Sequence, residues 1–174
     1  MLFNSPEFLF VFLPICLAGF LVLAHLGKHE LALTWLALLS VAFYSWWNPN
    51  HLPVLAVSIA INFLIVRCMA RGENRRTCLL AGVSANLALL GVFKYADFAI
   101  QNLGALSGLY IPLPKLALPL AISFFTFQQI GFLLDVYRRR IPVPGLRDHL
   151  LFVAFFPQLI AGPIVHFREM MPQL

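Results

Sequence analysis

The residues that could do chemistry gather in the last third of the sequence. His166 directly follows an apolar run broken by Pro157, Gly162 and Pro163, and a titratable imidazole beside irregular backbone is a candidate general base. The more ordinary reading is a polar boundary residue next to Arg168 and Glu169. Upstream, Ser123, Thr126, Gln128 and Gln129 place two hydroxyls and two adjacent amides in an otherwise apolar segment, just ahead of Asp135, Tyr137 and Arg138. Neighbouring side chains on a helix diverge by about 100°, so one adjacent helix cannot satisfy both glutamines. The pattern suits the lining of a polar cavity, whereas Asp135 is expected to be an exposed partner of Arg138 or Arg139.

Other polar residues support blander readings. Asn62 and Asn86 lie inside apolar runs, where an amide must find a partner, so hydrogen bonds between helices are expected. His25 and His29 have the spacing of a two-histidine metal pair, but no third ligand lies near them in sequence, and no metal is expected. The sequence contains no nucleophile elbow, phosphate loop, dinucleotide fingerprint or metalloprotease motif. Chemistry alone therefore offers a cavity without a reaction.

The elements that must position these residues are set by composition. The 174 residues are 61% hydrophobic and only 11% charged, against about 25% charged in an average soluble domain. The apolar residues come in long blocks rather than alternating faces, which excludes a membrane β-barrel and points to an all-α polytopic membrane bundle. Five stretches, 8–26, 31–47, 52–66, 77–93 and 116–134, meet or approach the length of a bilayer crossing without an internal charge. A sixth, 150–165, is shorter and interrupted by its prolines and glycine, and is expected to be re-entrant or a short span. Irregular backbone survives at membrane depth only where protein or a water-filled cavity satisfies it, so this segment is the best pointer to a functional cavity. The chain reads as one membrane domain over 1–174, without repeats, low-complexity stretches or a dividing linker.

The net charge of +5 does not mark a nucleic-acid binder, because the 12 Lys and Arg are sorted into short clusters between apolar blocks. Connections that follow odd-numbered spans carry nine basic residues and the others two. The positive-inside rule then places the arginine-rich loops in the cytoplasm and the N-terminus outside. Phe43, Tyr44, Trp46 and Trp47 read as interfacial anchors before the turn Asn48-Pro49-Asn50. Segment 96–110 reads as a surface amphipathic helix stopped by Pro112 and Pro114. The first 26 residues lack a basic leader and a small-residue cleavage site, and read as a retained first span. Cys16, Cys68 and Cys78 suggest neither a disulfide framework nor a metal site.

Several of these segments also form a known pattern. MLFNSPEF at 1–8, FYSWWNP at 43–49, FKY at 93–95, ISFFTFQQ at 122–129, DVYR at 135–138 and FPQLIAGPI at 156–164 occur in this order. Together they resemble the membrane-bound O-acyltransferase family across essentially the whole chain. The likeness is strongest to the bacterial branch that O-acetylates alginate, and more distant to the D-alanine exporter of teichoic acid modification.

The resemblance implies a bacterial inner-membrane acyltransferase moving an acetyl group from a cytoplasmic donor, acetyl-CoA or another acetyl carrier. The acceptor would be an exported polysaccharide or an extracytoplasmic acetyl-relay protein. It implies that Ser123, Gln128, Gln129, Gln158 and Pro163 line a substrate tunnel surrounded by helices. Family members are more than twice this length, and their catalytic histidine lies in a C-terminal half that these 174 residues do not include. His166 sits in a different motif, so the role is not transferred to it. The chain is therefore expected to correspond to the N-terminal part of such an enzyme, to be inactive alone, and to take the C-terminal half as a partner. A non-enzymatic membrane scaffold or small transporter component is the alternative.

Overall fold

The computed structural model describes residues 4–72, 74–107, 117–163 and 165–174. Every regular element among them is helical. A π-helical turn, Phe8–Phe12, leads into α1 (Leu13–His25), followed by α2 (His29–Trp47), a 3-10 turn (Pro49–His51), α3 (Leu52–Ala70) and α4 (Arg75–Ser107). Then come α5 (Ile122–Tyr137), α6 (Leu146–Ala154), α7 (Phe156–Ala161), α8 (Phe167–Met170) and a last 3-10 turn (Met171–Gln173).

Local chemistry accounts for the breaks. Gly27, at φ +69°, takes the left-handed position after α1. There its N–H donates to the Ala24 carbonyl and the Lys28 N–H to the Leu23 carbonyl, both at 2.9 Å. His25 and His29 consequently sit on different helices and share no face. The Asn48 side chain accepts from the Asn50 N–H at 3.0 Å, and Pro49 opens the turn into α3. Gly72, at φ +86°, ends the α3 hairpin. Across that hairpin Cys68 and Cys78 are joined by a disulfide, with Cα atoms 6.4 Å apart. The expectation of three unpaired cysteines is therefore corrected: a four-residue connection, 71–74, brings the end of α3 beside the start of α4.

Three helical segments are long and apolar enough to cross a membrane: Phe8–His25, Pro49–Ala70 and Arg75–Leu103. Five such crossings are not shown among the described residues. α2 has 19 residues but is diluted by His29 and Glu30 at one end and by Tyr44, Ser45 and Trp46 at the other. α5 has 16 residues, about 24 Å against a hydrocarbon core of about 30 Å. It starts six residues later than the apolar run suggests, because Pro119 lies in that run and Ala121 turns left-handed at φ +58°. α4 runs 33 residues, so 96–107 continues it instead of forming a separate surface helix; the stop at Pro112 and Pro114 lies outside the described residues. The sixth segment is broken at Phe155 (ψ 107°), with Pro157 in the first turn of a new helix.

The helices pack in two clusters sharing α6. α3, α4, α5, α6 and α8 enclose one core, built on Leu55, Val66, Phe125, Phe132, Leu133 and Phe152. In the other, Phe8, Phe12 and Phe43 gather around Phe156, with centroids 6.1, 5.2 and 5.3 Å from its ring. Trp35 pins α2 to α1, its Nε1–H donating to the Cys16 carbonyl at 3.2 Å. Phe43 and Tyr44 are thus core residues and not interfacial anchors. Tyr44 donates its hydroxyl to the Leu120 carbonyl at 3.1 Å; Trp46 is exposed. Outward faces are strongly apolar, with Phe10 79% and Leu21 61% exposed, as a lipid-facing surface requires.

At the centre, Asn62 and Asn86 exchange reciprocal hydrogen bonds. Asn62 Nδ2 donates to Asn86 Oδ1 at 3.1 Å and Asn86 Nδ2 to Asn62 Oδ1 at 2.7 Å. Each amide also donates to its own helix, to the Ser58 and Gly82 carbonyls at 2.9 and 2.8 Å. Both residues are buried, so every polar valence spent there stays inside the bundle. Asn86→Leu alone should destabilise the protein by roughly 1–2 kcal/mol, since Asn62 is left without its partner. Adding Asn62→Leu should recover part of that loss, which unfolding in mixed detergent micelles would read; strictly additive losses would dismiss the pair as a unit.

Candidate functional site

α5 is the pillar on which the site is built. Isoleucine, phenylalanine and leucine surround its polar residues, so the helix is buried on most of its circumference. Gln128 donates Nε2 to the Phe152 carbonyl of α6 at 3.0 Å, while Gln129 donates Nε2 to Ser58 Oγ of α3 at 2.8 Å. The two adjacent amides therefore serve two different helices, as their angular separation requires. Their carbonyl oxygens, together with Thr126 Oγ1, are buried without a hydrogen-bond partner among the described residues.

His149 joins this group, a residue that sequence reasoning passed over. It is 0% exposed, stacks on Phe132 at 4.6 Å and Phe63 at 6.2 Å, and neither ring nitrogen has a hydrogen-bond partner among the described residues. α6 lies outside the three long apolar segments, and there burial pushes the His149 imidazole down to about 4; the ring is neutral. The usable signal was helical phase, which puts 149 on the face of Phe152 and Val153.

Where α5 ends, the structure makes a second polar assembly. Asp135 is only 2% exposed. Its Oδ2 lies 2.9 Å from His166 Nδ1 and its Oδ1 3.6 Å from Arg140. This corrects the expectation of an exposed partner for Arg138 or Arg139: the segment after α7 folds back over α5 and covers the carboxylate. The contact orients the half-exposed imidazole with its Nδ1 against the buried carboxylate.

Between these assemblies lies the broken segment. Gln158 and Pro163 line a cavity of about 440 Å³ with Phe155, Pro157, Gly162 and Val165 among its walls. Gln158 Nε2 is 3.5 Å from the Pro163 carbonyl. Of the expected lining residues, these two share a cavity, Ser123 is half-buried on the first turn of α5, and Gln128 and Gln129 are packed between helices. The amide N–H of Phe156, freed by the break, reaches Ser40 Oγ at 3.4 Å.

Over 99% of its length the chain is similar to peptidoglycan O-acetyltransferase of Helicobacter pylori, with 40% identity across 202 aligned residues and 38% of that protein covered. It is likewise similar to probable alginate O-acetylase AlgI of Pseudomonas aeruginosa and of Azotobacter vinelandii, each at 37% identity with 34% and 36% of those proteins covered. The chain thus spans about a third of the length of the curated relatives it matches. No family model matches the chain, and no solved structure matches it.

Gly162 shows how tightly the break is made. A Cβ added there would stand 2.8 Å from Gln158 Cα and 3.0 Å from its carbonyl oxygen, whereas one at Gly91 would meet nothing within 4 Å. Gly162→Ala should therefore destabilise the chain by about 1–3 kcal/mol. Gly91→Ala should be neutral or slightly stabilising in the same thermal unfolding assay.

Proposed function

Because the chain is a homologue of the bacterial peptidoglycan and alginate O-acetyltransferases, we propose that it forms part of a membrane O-acetyltransferase acting on an exported polysaccharide. The observation that carries this reading is the identity of 34–40% sustained over 99% of the chain. Acetyl transfer across a membrane needs polar groups at bilayer depth held on rigid elements. The buried amides of α5 and the cavity at Gln158 and Pro163 supply groups of that kind. In this reading Ser123, Gln128, Gln129, Gln158 and Pro163 line the route of the acetyl group, and His166 does not perform the chemistry.

The donor we propose is cytoplasmic, acetyl-CoA or another acetyl carrier, and the acceptor is a polysaccharide hydroxyl or an extracytoplasmic relay protein. The bundle sits in the inner membrane, with α2 and α5 adding to the three longer segments to make five crossings and the broken segment re-entering beside them. The N-terminus faces the periplasm, a reading supported by the excess of arginine on the connections after α3 and α5. The chemistry itself is carried by helices beyond this third of the relatives' length.

Membranes containing the 174 residues alone should transfer no radiolabelled acetyl group to polymer. Co-expression with the remaining two-thirds of a relative should restore transfer, and failure to restore it would sink the proposal; activity of the chain by itself would overturn the claim that the chemistry lies outside it. Topology is checked separately. An impermeant thiol reagent should label Arg138→Cys in everted vesicles and spare it in intact spheroplasts, and the reverse pattern would invert the orientation.

A further inference from the structure

A second cavity, of about 210 Å³, opens where the ends of α3 and α5 meet the start of α4. Its walls are apolar, from Met69, Ile141, Pro142 and Val143, and Arg75 and Arg139 stand at it. We propose that this cavity binds the phosphate of an anionic phosphoester, with Arg75 and Arg139 as its ligands. The site lies apart from the broken segment and needs only the membrane setting, not the transferase reading.

The two arginines are held differently. Arg75 Nη2 donates to the Val136 and Tyr137 carbonyls, both at 2.9 Å, which anchors the side chain at the α5 terminus. Its guanidinium also stands 6.0 Å from the Tyr137 ring centroid, and its other N–H groups make no hydrogen bond among the described residues, so a fixed fork remains with donors to spare. Arg139 has neither an ion pair nor a hydrogen bond from its side chain among those residues, and it is exposed. Its backbone is the unusual part. Arg139 occupies the left-handed position after α5 at φ +56°, the place that Gly27 and Gly72 fill after α1 and α3. Its N–H donates to the Val136 carbonyl at 3.0 Å and that of Arg140 to the Asp135 carbonyl at 2.9 Å. Glycine is the favoured residue at such a helix end. An arginine there costs folding free energy and places a guanidinium beside the cavity.

The surroundings select for an anion. Arg71, Arg76, Arg138 and Arg140 flank the site in sequence, and the nearby Asp135 is buried and already engaged by His166 and Arg140. An apolar floor below a cationic rim fits an amphiphilic phosphoester, such as a glycerophospholipid headgroup at the leaflet surface. The adenosine phosphates of a soluble acyl carrier present the same chemistry.

The test uses the 174-residue chain in detergent micelles, with native mass spectrometry after adding phosphatidylglycerol, diacylglycerol of the same acyl chains, or coenzyme A. The wild type should retain phosphatidylglycerol about tenfold over diacylglycerol, or bind coenzyme A. Retention of the lipid unaffected by coenzyme A assigns the phosphate to the bilayer; binding or competition by coenzyme A assigns it to a soluble carrier. Arg139→Gly keeps the backbone in its favoured residue while deleting the charge. It should hold helix content and thermal stability at or above wild type while lowering phosphate retention about tenfold, and Arg139→Lys should restore part of it. Equal retention of both lipids with no binding of coenzyme A overturns the proposal, as does undiminished binding by Arg139→Gly.

Discussion

In a bundle with so little charge, the arrangement of helices depends on where a few amides find partners. Lipid is as apolar as leucine, so apolar packing alone does not fix one helix against another. The reciprocal bonds of Asn62 and Asn86 fix α3 against α4. One turn along α3, Ser58 accepts the Asn62 amide at its carbonyl and Gln129 at its hydroxyl. A continuous polar line thus runs from α4 through α3 to α5. Gly82 lets the three approach: a Cβ there would stand 2.7 Å from Leu133 of α5 and 3.1 Å from Ile65 of α3. Register, spacing and partner choice are set together within one stretch of α4.

Much of this was readable in the sequence because it is local. An uninterrupted apolar run reports a helix through its length, a glycine in a polar turn reports where it ends, and paired asparagines in apolar runs can be satisfied only by each other or by a neighbour. Adjacent glutamines likewise announce two neighbouring helices by geometry alone. What stayed hidden is long-range. Asp135 belongs to a run of charges and looks solvated, but a residue 31 positions later covers it. Tyr44 sits in an aromatic cluster typical of a membrane interface, and only a carbonyl 76 positions away shows it to be core. The start of α5 was hidden for a different reason: Pro119 is as apolar as its neighbours and counts toward a span that it actually delays.

His149 illustrates the same limit. It follows Arg147 and Asp148, and Arg147 does behave as a surface residue, pairing with Glu30 of α2 and with Asp148. That ion pair joins the start of α6 to the start of α2. It lies two positions before the buried imidazole and links residues whose sequence separation is 117.

The broken sixth segment ties these threads to function. Interrupting a helix inside an apolar bundle releases N–H and C=O groups that its apolar neighbours cannot satisfy. Ser40 accepts the freed Phe156 N–H, Gln128 donates to the Phe152 carbonyl, and Gln158 reaches the Pro163 carbonyl. Three polar side chains from α2, α5 and the segment itself therefore stabilise the break. Each α5 glutamine spends a donor in this framework, and among the described residues Gln128 Oε1, Gln129 Oε1, Thr126 Oγ1 and both ring nitrogens of His149 stay unpartnered. The break is therefore held by donors and acceptors from three elements, and through them α2, α5 and the broken segment are locked to one another.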